Sequence, residues 1–141
     1  MEKLEHIGIA VKNIDRSNPL FASLLGTEHY KIEEVESEGV RTSFFHIGGV
    51  KIELLEATHQ DSPIAKFIEK KGEGVHHLAF SVSDLKQSVQ SYVNKGFEII
   101  NKVPKKGADN KMICFLHPKS TGGVLIELCE EAVSIQHSAN S

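Results

Sequence analysis

The chain repeats its own landmarks. HIGIAVKNI, beginning at His6, and HLAFSVSDL, beginning at His77, share a histidine, an alternation of apolar and small residues, a valine, two polar positions and an aliphatic residue. The histidines stand 71 positions apart. A helix-like stretch follows each and stops at a glycine, Gly26 and Gly96, where glycine suits a left-handed helix end. Further on, GGVKIELLEA from Gly48 matches GGVLIELCEE from Gly122, which sets Glu53 on Glu127 at a spacing of 74. Landmarks that recur in one order over most of a chain mark duplicated structural units.

Between the landmarks lie short β-rich runs: HYKIEEV and VRTSFFHI in the first half, FEIINKV and KMICFLH in the second. Each half therefore reads β-α-β-β-β. At the join, SPIAKFIEKKG predicts a short helix with Ser62 as N-cap, Pro63 at the first helical position and Gly72 beyond the end. The boundaries expected are one domain over residues 1–131, with module 1 at about 4–57, the linker helix at about 58–74 and module 2 at about 75–131. Residues 132–141 have no periodicity and read as a frayed tail.

At 141 residues and 40% hydrophobic content, the chain is long enough to bury a core. Its formal charge of −3 is spread without long blocks, which offers no electrostatic footprint for nucleic acid or an anionic membrane. A small molecule is the expected partner. No window is apolar enough to cross a bilayer, and MEKLEHIGIAV reads as a strand, not a signal peptide, so a cytoplasmic protein is expected. Cys114 and Cys129 sit in apolar runs without CxxC spacing and read as buried thiols.

A strand sends alternate side chains to opposite faces. His6 thus shares a face with Gly8 and Ala10, and His77 with Ala79 and Ser81, while larger apolar residues fill the opposite, helix-covered face. Small neighbours leave volume for something that is not protein. His76 falls on the wrong face, so the repeat selects His77. IEL in both halves places a carboxylate between large aliphatics, where it needs a cation, hydrogen bonds or a raised pKa. If the modules pair about a pseudo-two-fold axis, His6, Glu53, His77 and Glu127 converge, and two imidazoles with two carboxylates suit a borderline or hard divalent ion with open positions. The alternative is a duplicated set of purely structural polar positions. His29, His46, His59, His117 and His137 have no repeated partner and read as surface or loop residues, with His117 also able to hydrogen-bond a ligand.

Paired β-α-β-β-β modules with this ligand set resemble the vicinal oxygen chelate superfamily, which includes glyoxalase I, ring-cleaving dioxygenases and methylmalonyl-CoA epimerases. HIGIAV, DSPIAKFIEKKGEGVHHLAF and HPKSTGGVLIELCE together resemble the epimerase family over about residues 4–131. The resemblance implies an α+β fold whose two modules form a curved, barrel-like mixed sheet with helices outside. It implies one divalent ion per chain (Co2+, Ni2+, Mn2+, Zn2+ or Mg2+) on His6, Glu53, His77 and Glu127. The substrate would be an acyl-CoA, methylmalonyl-CoA, epimerised at C2 through an enolate, and a homodimer is expected by family analogy.

Epimerisation needs a base on one face of the enolate and an acid on the other. Some family members carry glutamine at the position of Glu53 and a catalytic glutamate at the position of Thr42; here Thr42 cannot serve, and Glu127 with Glu53 are the expected pair. In the loop HPKSTGGV, His117, Ser120, Thr121 and Gly122 are candidates to receive the substrate carboxylate or thioester oxygen, although a plain turn would use the same residues. Lys105, Lys106 and Lys119 could meet CoA phosphates or only water. Two other readings share the fold: a glyoxalase I-type lactoylglutathione lyase, and a non-catalytic small-molecule binding protein.

Overall fold

The computed structural model describes residues 1–132; of the tail expected at 132–141, all but Ala132 lies outside the described residues. Its strands and helices run β1 (Lys3–Ala10), α1 (Ile14–Leu25), β2 (Lys31–Val35), β3 (Val40–Ile47), β4 (Val50–Ala57), α2 (Pro63–Lys71), β5 (Gly74–Ser81), α3 (Leu85–Asn94), β6 (Lys105–Lys106), β7 (Lys111–Leu116) and β8 (Ile126–Glu131). The β-α-β-β-β order is thus present twice. The chain divides into two compact units, Glu5–His76 and a second made of Met1–Leu4 with the residues from His77 on.

In the first unit the strands lie in the order β2-β3-β4-β1. β1 runs parallel to β4 and the other pairs are antiparallel, so the sheet is mixed. Asn13 caps α1 by accepting from the Arg16 amide, and Gly26 ends it in the left-handed region. One sheet face carries Val11, Phe45 and Leu54, which pack with Ile14, Phe21, Ala22 and Leu25 of the α1 segment. On the opposite face, Ala10, Val40 and Leu55 meet Ile64, Phe67 and Ile68 of α2. Burying each large side chain contributes about 1.5–3 kcal/mol relative to leaving it exposed.

Helix α2 forms as its punctuation dictates. The Ser62 hydroxyl accepts from the Ala65 amide at 3.1 Å, Pro63 opens the first turn, and Lys70 and Lys71 lie at the negative end of the helix dipole. Because α2 covers Ala10 and Leu55, it closes one end of the face on which His6 and Glu53 stand.

In the second unit the order is β5-β8-β7-β6, with β5 parallel to β8. Glu2 N donates to Ser81 O at 2.9 Å, which attaches the first residues of the chain to this unit. Asp84 caps α3, whose Leu85 and Val89 pack with Val82, Ile99, Cys114, Leu116 and Leu128. Both cysteines are buried thiols outside any disulfide, as expected.

One expected strand does not form as such. FEIINKV yields a single bridge, Ile99 to Leu116, and regular pairing resumes only at Lys105. Two residues account for this. Asn101 lends its side chain to the ladder, accepting from Phe115 N at 3.0 Å and donating to Ile113 O at 3.3 Å. Pro104, just ahead of β6, has no N–H to donate. No helix among the described residues is long and apolar enough to cross a membrane.

Candidate functional site

In the first unit the site is built by β1 and β4. Their parallel register sets His6 beside Lys51 and Gly8 beside Glu53. Phe44 of β3 flanks Glu53 on its other side, and the Lys31 ammonium lies 4.6 Å from the Phe44 ring centroid. His6 and Glu53 are 5% and 4% exposed, and His6 Nδ1 lies 3.2 Å from Glu53 Oε2. A carboxylate so buried requires polar compensation, and the imidazole supplies part of it.

Glu5, absent from the residues singled out by the repeat, joins this group. His6 Nδ1 donates to Glu5 Oε1 at 2.6 Å, and Glu5 Oε2 meets Lys51 Nζ at 2.6 Å. Burial pushes the Glu5 carboxyl up, but hydrogen bonds from His6 and Lys51, and then their charges, outweigh it and hold it at about 2. Glu5, His6 and Glu53 each offer a donor atom, all within 4.8 Å of one another. The only sequence signal for Glu5 is an acid directly before a repeated histidine.

The second unit repeats the arrangement on β5 and β8. Ala79 stands beside Glu127, as Gly8 does beside Glu53, and Phe115 of β7 flanks Glu127 as Phe44 flanks Glu53. His77 and Glu127 are both buried, with His77 Nε2 3.3 Å from Glu127 Oε1. The Phe115 ring meets His77 edge-on at 6.0 Å, and Lys105 lies over Phe115 at 5.8 Å. The duplication therefore extends past the ligand candidates to their setting: a small residue, a glutamate, a phenylalanine and a lysine over the ring. One detail differs, since Glu53 faces the Nδ1 side of its histidine and Glu127 the Nε2 side of the other. Each buried imidazole–carboxylate pair is a donor set that fits a borderline or hard divalent cation.

Thr42 is fully buried on β3, one step along from the Phe44–Glu53 pair and on the same face. Among the described residues its hydroxyl has no hydrogen-bond partner. The expected substrate loop is a 3-10 turn, Pro118–Ser120, capped by His117. Its hydroxyls are engaged within the protein: Ser120 Oγ donates to His117 O at 2.9 Å and accepts from Glu98 N at 3.1 Å, and Thr121 Oγ1 donates to Val124 O. Gly122 and Gly123 take positive φ, which closes the loop ahead of β8. Lys119 is largely exposed and pairs with Glu98. The His76 ring meets Phe67 edge-on.

Residues 5–115 match the sequence profile of the Glyoxalase/Bleomycin resistance protein/Dioxygenase superfamily. The chain belongs to that superfamily. This member is 42% identical over 130 residues to the uncharacterized protein YqjC of Bacillus subtilis, covering 92% of this chain and 93% of the relative. It is 37% identical over 130 residues to the mitochondrial methylmalonyl-CoA epimerase of Dictyostelium discoideum, covering 92% of this chain and 78% of that protein. Among solved structures, a methylmalonyl-CoA epimerase in complex with methylmalonyl-CoA and NH4+ superposes with a TM-score of 0.89 at 35% identity, covering 94% of this chain and 96% of the other. The superfamily member thus has the vicinal oxygen chelate fold.

Proposed function

We propose that this chain is a methylmalonyl-CoA epimerase whose two units act as one domain, with His6, Glu53, His77 and Glu127 holding one divalent cation per chain. The observation that carries the reading is the recurrence of a buried His–Glu pair at one register in both units, in a chain 37% identical to an epimerase. The four side chains supply two imidazoles and two carboxylates, a mixed set suited to Co2+, Ni2+, Mn2+, Zn2+ or Mg2+.

When bound, such a cation supplies Lewis-acid polarisation of the thioester and carboxylate oxygens that flank C2. The chain's own groups do the proton work. Glu127 removes the C2 proton from one face and Glu53 delivers a proton to the other, with the roles exchanged for the opposite epimer. Thr42 has no ionisable group and leaves the second base to Glu53. Phe44 and Phe115, beside the two glutamates, keep water from competing for the proton. The His117 ring and the Gly122 amide, ahead of the strand that bears Glu127, receive the substrate carboxylate or thioester oxygen, while Ser120 and Thr121 spend their hydroxyls holding the loop that presents them. The buried thiols Cys114 and Cys129, neither in a disulfide, suit a reducing compartment, and we read the protein as cytoplasmic and, by family analogy, a homodimer.

The test is loss of deuterium from C2-labelled methylmalonyl-CoA in water, alongside the metal content of the purified protein. Rapid loss with a stoichiometric divalent ion supports the epimerase. A folded, metal-loaded protein that leaves the label in place sinks it, and turnover of a glutathione hemithioacetal instead would identify a lyase.

A further inference from the structure

Strand β1 carries a device that its repeat lacks. Lys51 Nζ, Glu5 and His6 form a chain of two contacts, each 2.6 Å, and all three side chains are largely withdrawn from solvent. In the second half the position before His77 is His76, whose ring instead meets Phe67 edge-on at 4.9 Å, and the position equivalent to Lys51 is Leu125. Equivalent strands form there without an acid or a lysine, so the fold does not require them. Burying an ion pair carries a desolvation cost that apolar residues of similar size would avoid. A reason specific to His6 is needed.

Neutral imidazole bears its hydrogen on one nitrogen and offers a cation the lone pair of the other. At His6 the nearer acceptor to Nδ1 is Glu5 Oε1 at 2.6 Å, against 3.2 Å for Glu53 Oε2. We infer that Glu5, anchored by Lys51, is a positioning residue: it keeps the hydrogen of His6 on Nδ1 and so dedicates Nε2 to the cation. The inference rests on the proposed role of His6 as a metal ligand. Lys51 occupies the second Glu5 oxygen and keeps that carboxylate turned to the imidazole, so Glu5 acts through His6 and is not a ligand itself. An outer carboxylate of this kind fixes ring orientation as well as tautomer.

The test uses the full chain freed of metal by a chelator, with Co2+ as the probe. Long-range proton–nitrogen couplings report which His6 nitrogen carries hydrogen in the metal-free protein at one fixed pH, and calorimetry reports Co2+ affinity. The wild type should show the hydrogen on Nδ1. Glu5→Ala should give a mixture of tautomers and weaken Co2+ binding roughly 10- to 100-fold. Glu5→Gln, whose amide oxygen accepts the same bond, should keep the tautomer and recover most of the affinity. If Glu5→Ala does not fold, Lys51→Met frees the carboxylate and should show the same changes in smaller measure. Hydrogen on Nε2 in the wild type, or variants that leave tautomer and affinity unchanged, overturns the inference. His6→Ala separates the two layers: loss of Co2+ binding there with no effect of Glu5→Ala refutes only the role of Glu5, whereas Co2+ binding that survives His6→Ala refutes the ligand assignment and the inference together.

Discussion

Phe44 stands directly opposite Glu53 across the β3–β4 ladder. The same pairing joins Phe115 to Glu127 across β7 and β8, so the two glutamates live in equivalent, largely dry settings. Equivalent settings suit the equivalent tasks that the proposed mechanism gives them, one carboxylate removing a proton and the other returning it.

On the proposed mechanism, Glu127→Gln and Glu53→Gln each abolish a base yet keep an oxygen able to coordinate. Exchange at C2 should fall about 10²- to 10⁴-fold in either variant while Co2+ remains bound. Deuterium loss followed by NMR, with metal content measured on the same samples, checks this. Undiminished exchange in metal-loaded Glu53→Gln would move the second base elsewhere.

Cation binding should show in stability as well as in catalysis. A ligand that binds only the folded chain adds about 2.7 kcal/mol at 100 times its dissociation constant. Urea unfolding of the metal-free protein with and without Co2+ should reproduce that gain, and His77→Ala should lose it.

Gly39 holds the turn before β3 with φ of 64°, and a Cβ there would meet Ser62 Cβ at 2.8 Å and His59 Nε2 at 2.9 Å. Both the conformation and the contact resist a side chain. Gly39→Ala should therefore destabilise the fold by more than about 1 kcal/mol. Ser62→Ala, which removes only the α2 cap, should cost about 1 kcal/mol. Denaturant midpoints compare the two.

Burial pushes the Cys114 thiol up to about 11 despite the nearby Lys105, from an ordinary value of 9.0. The folded chain holds this proton longer than the unfolded chain does. The contribution to stability is thus fully present below pH 9 and lost as pH rises towards about 11. A urea series across that window should show the decline, and Cys114→Ala should remove the part due to this group. Alkylating reagents at pH 8 should spare Cys114 until the protein unfolds.

The repeat made much of this legible in advance, because strand alternation alone assigns His6, Gly8 and Ala10 to one face and the IEL motifs fix Glu53 and Glu127. The α2 helix was equally readable, since Ser62, Pro63 and Gly72 act through local backbone geometry. FEIINKV misled because its apolar content suits a strand, while the outcome depended on Asn101 reaching β7 and on Pro104 lacking a donor. Glu5 was invisible for a related reason. Its role arises only when the β1–β4 register brings Lys51 next to His6, and no copy of the pair exists in the second half to draw attention to it.

The short β6 has a bearing on how the protein behaves in a crowded solution. An open sheet edge invites strands from other molecules to add to it. Here the last strand of its unit offers only Lys105 and Lys106, both exposed, and the stretch before it spends an amide side chain on the ladder and includes a proline. Charge and missing donors leave an incoming chain little to grip, which guards this margin against fibrous aggregation.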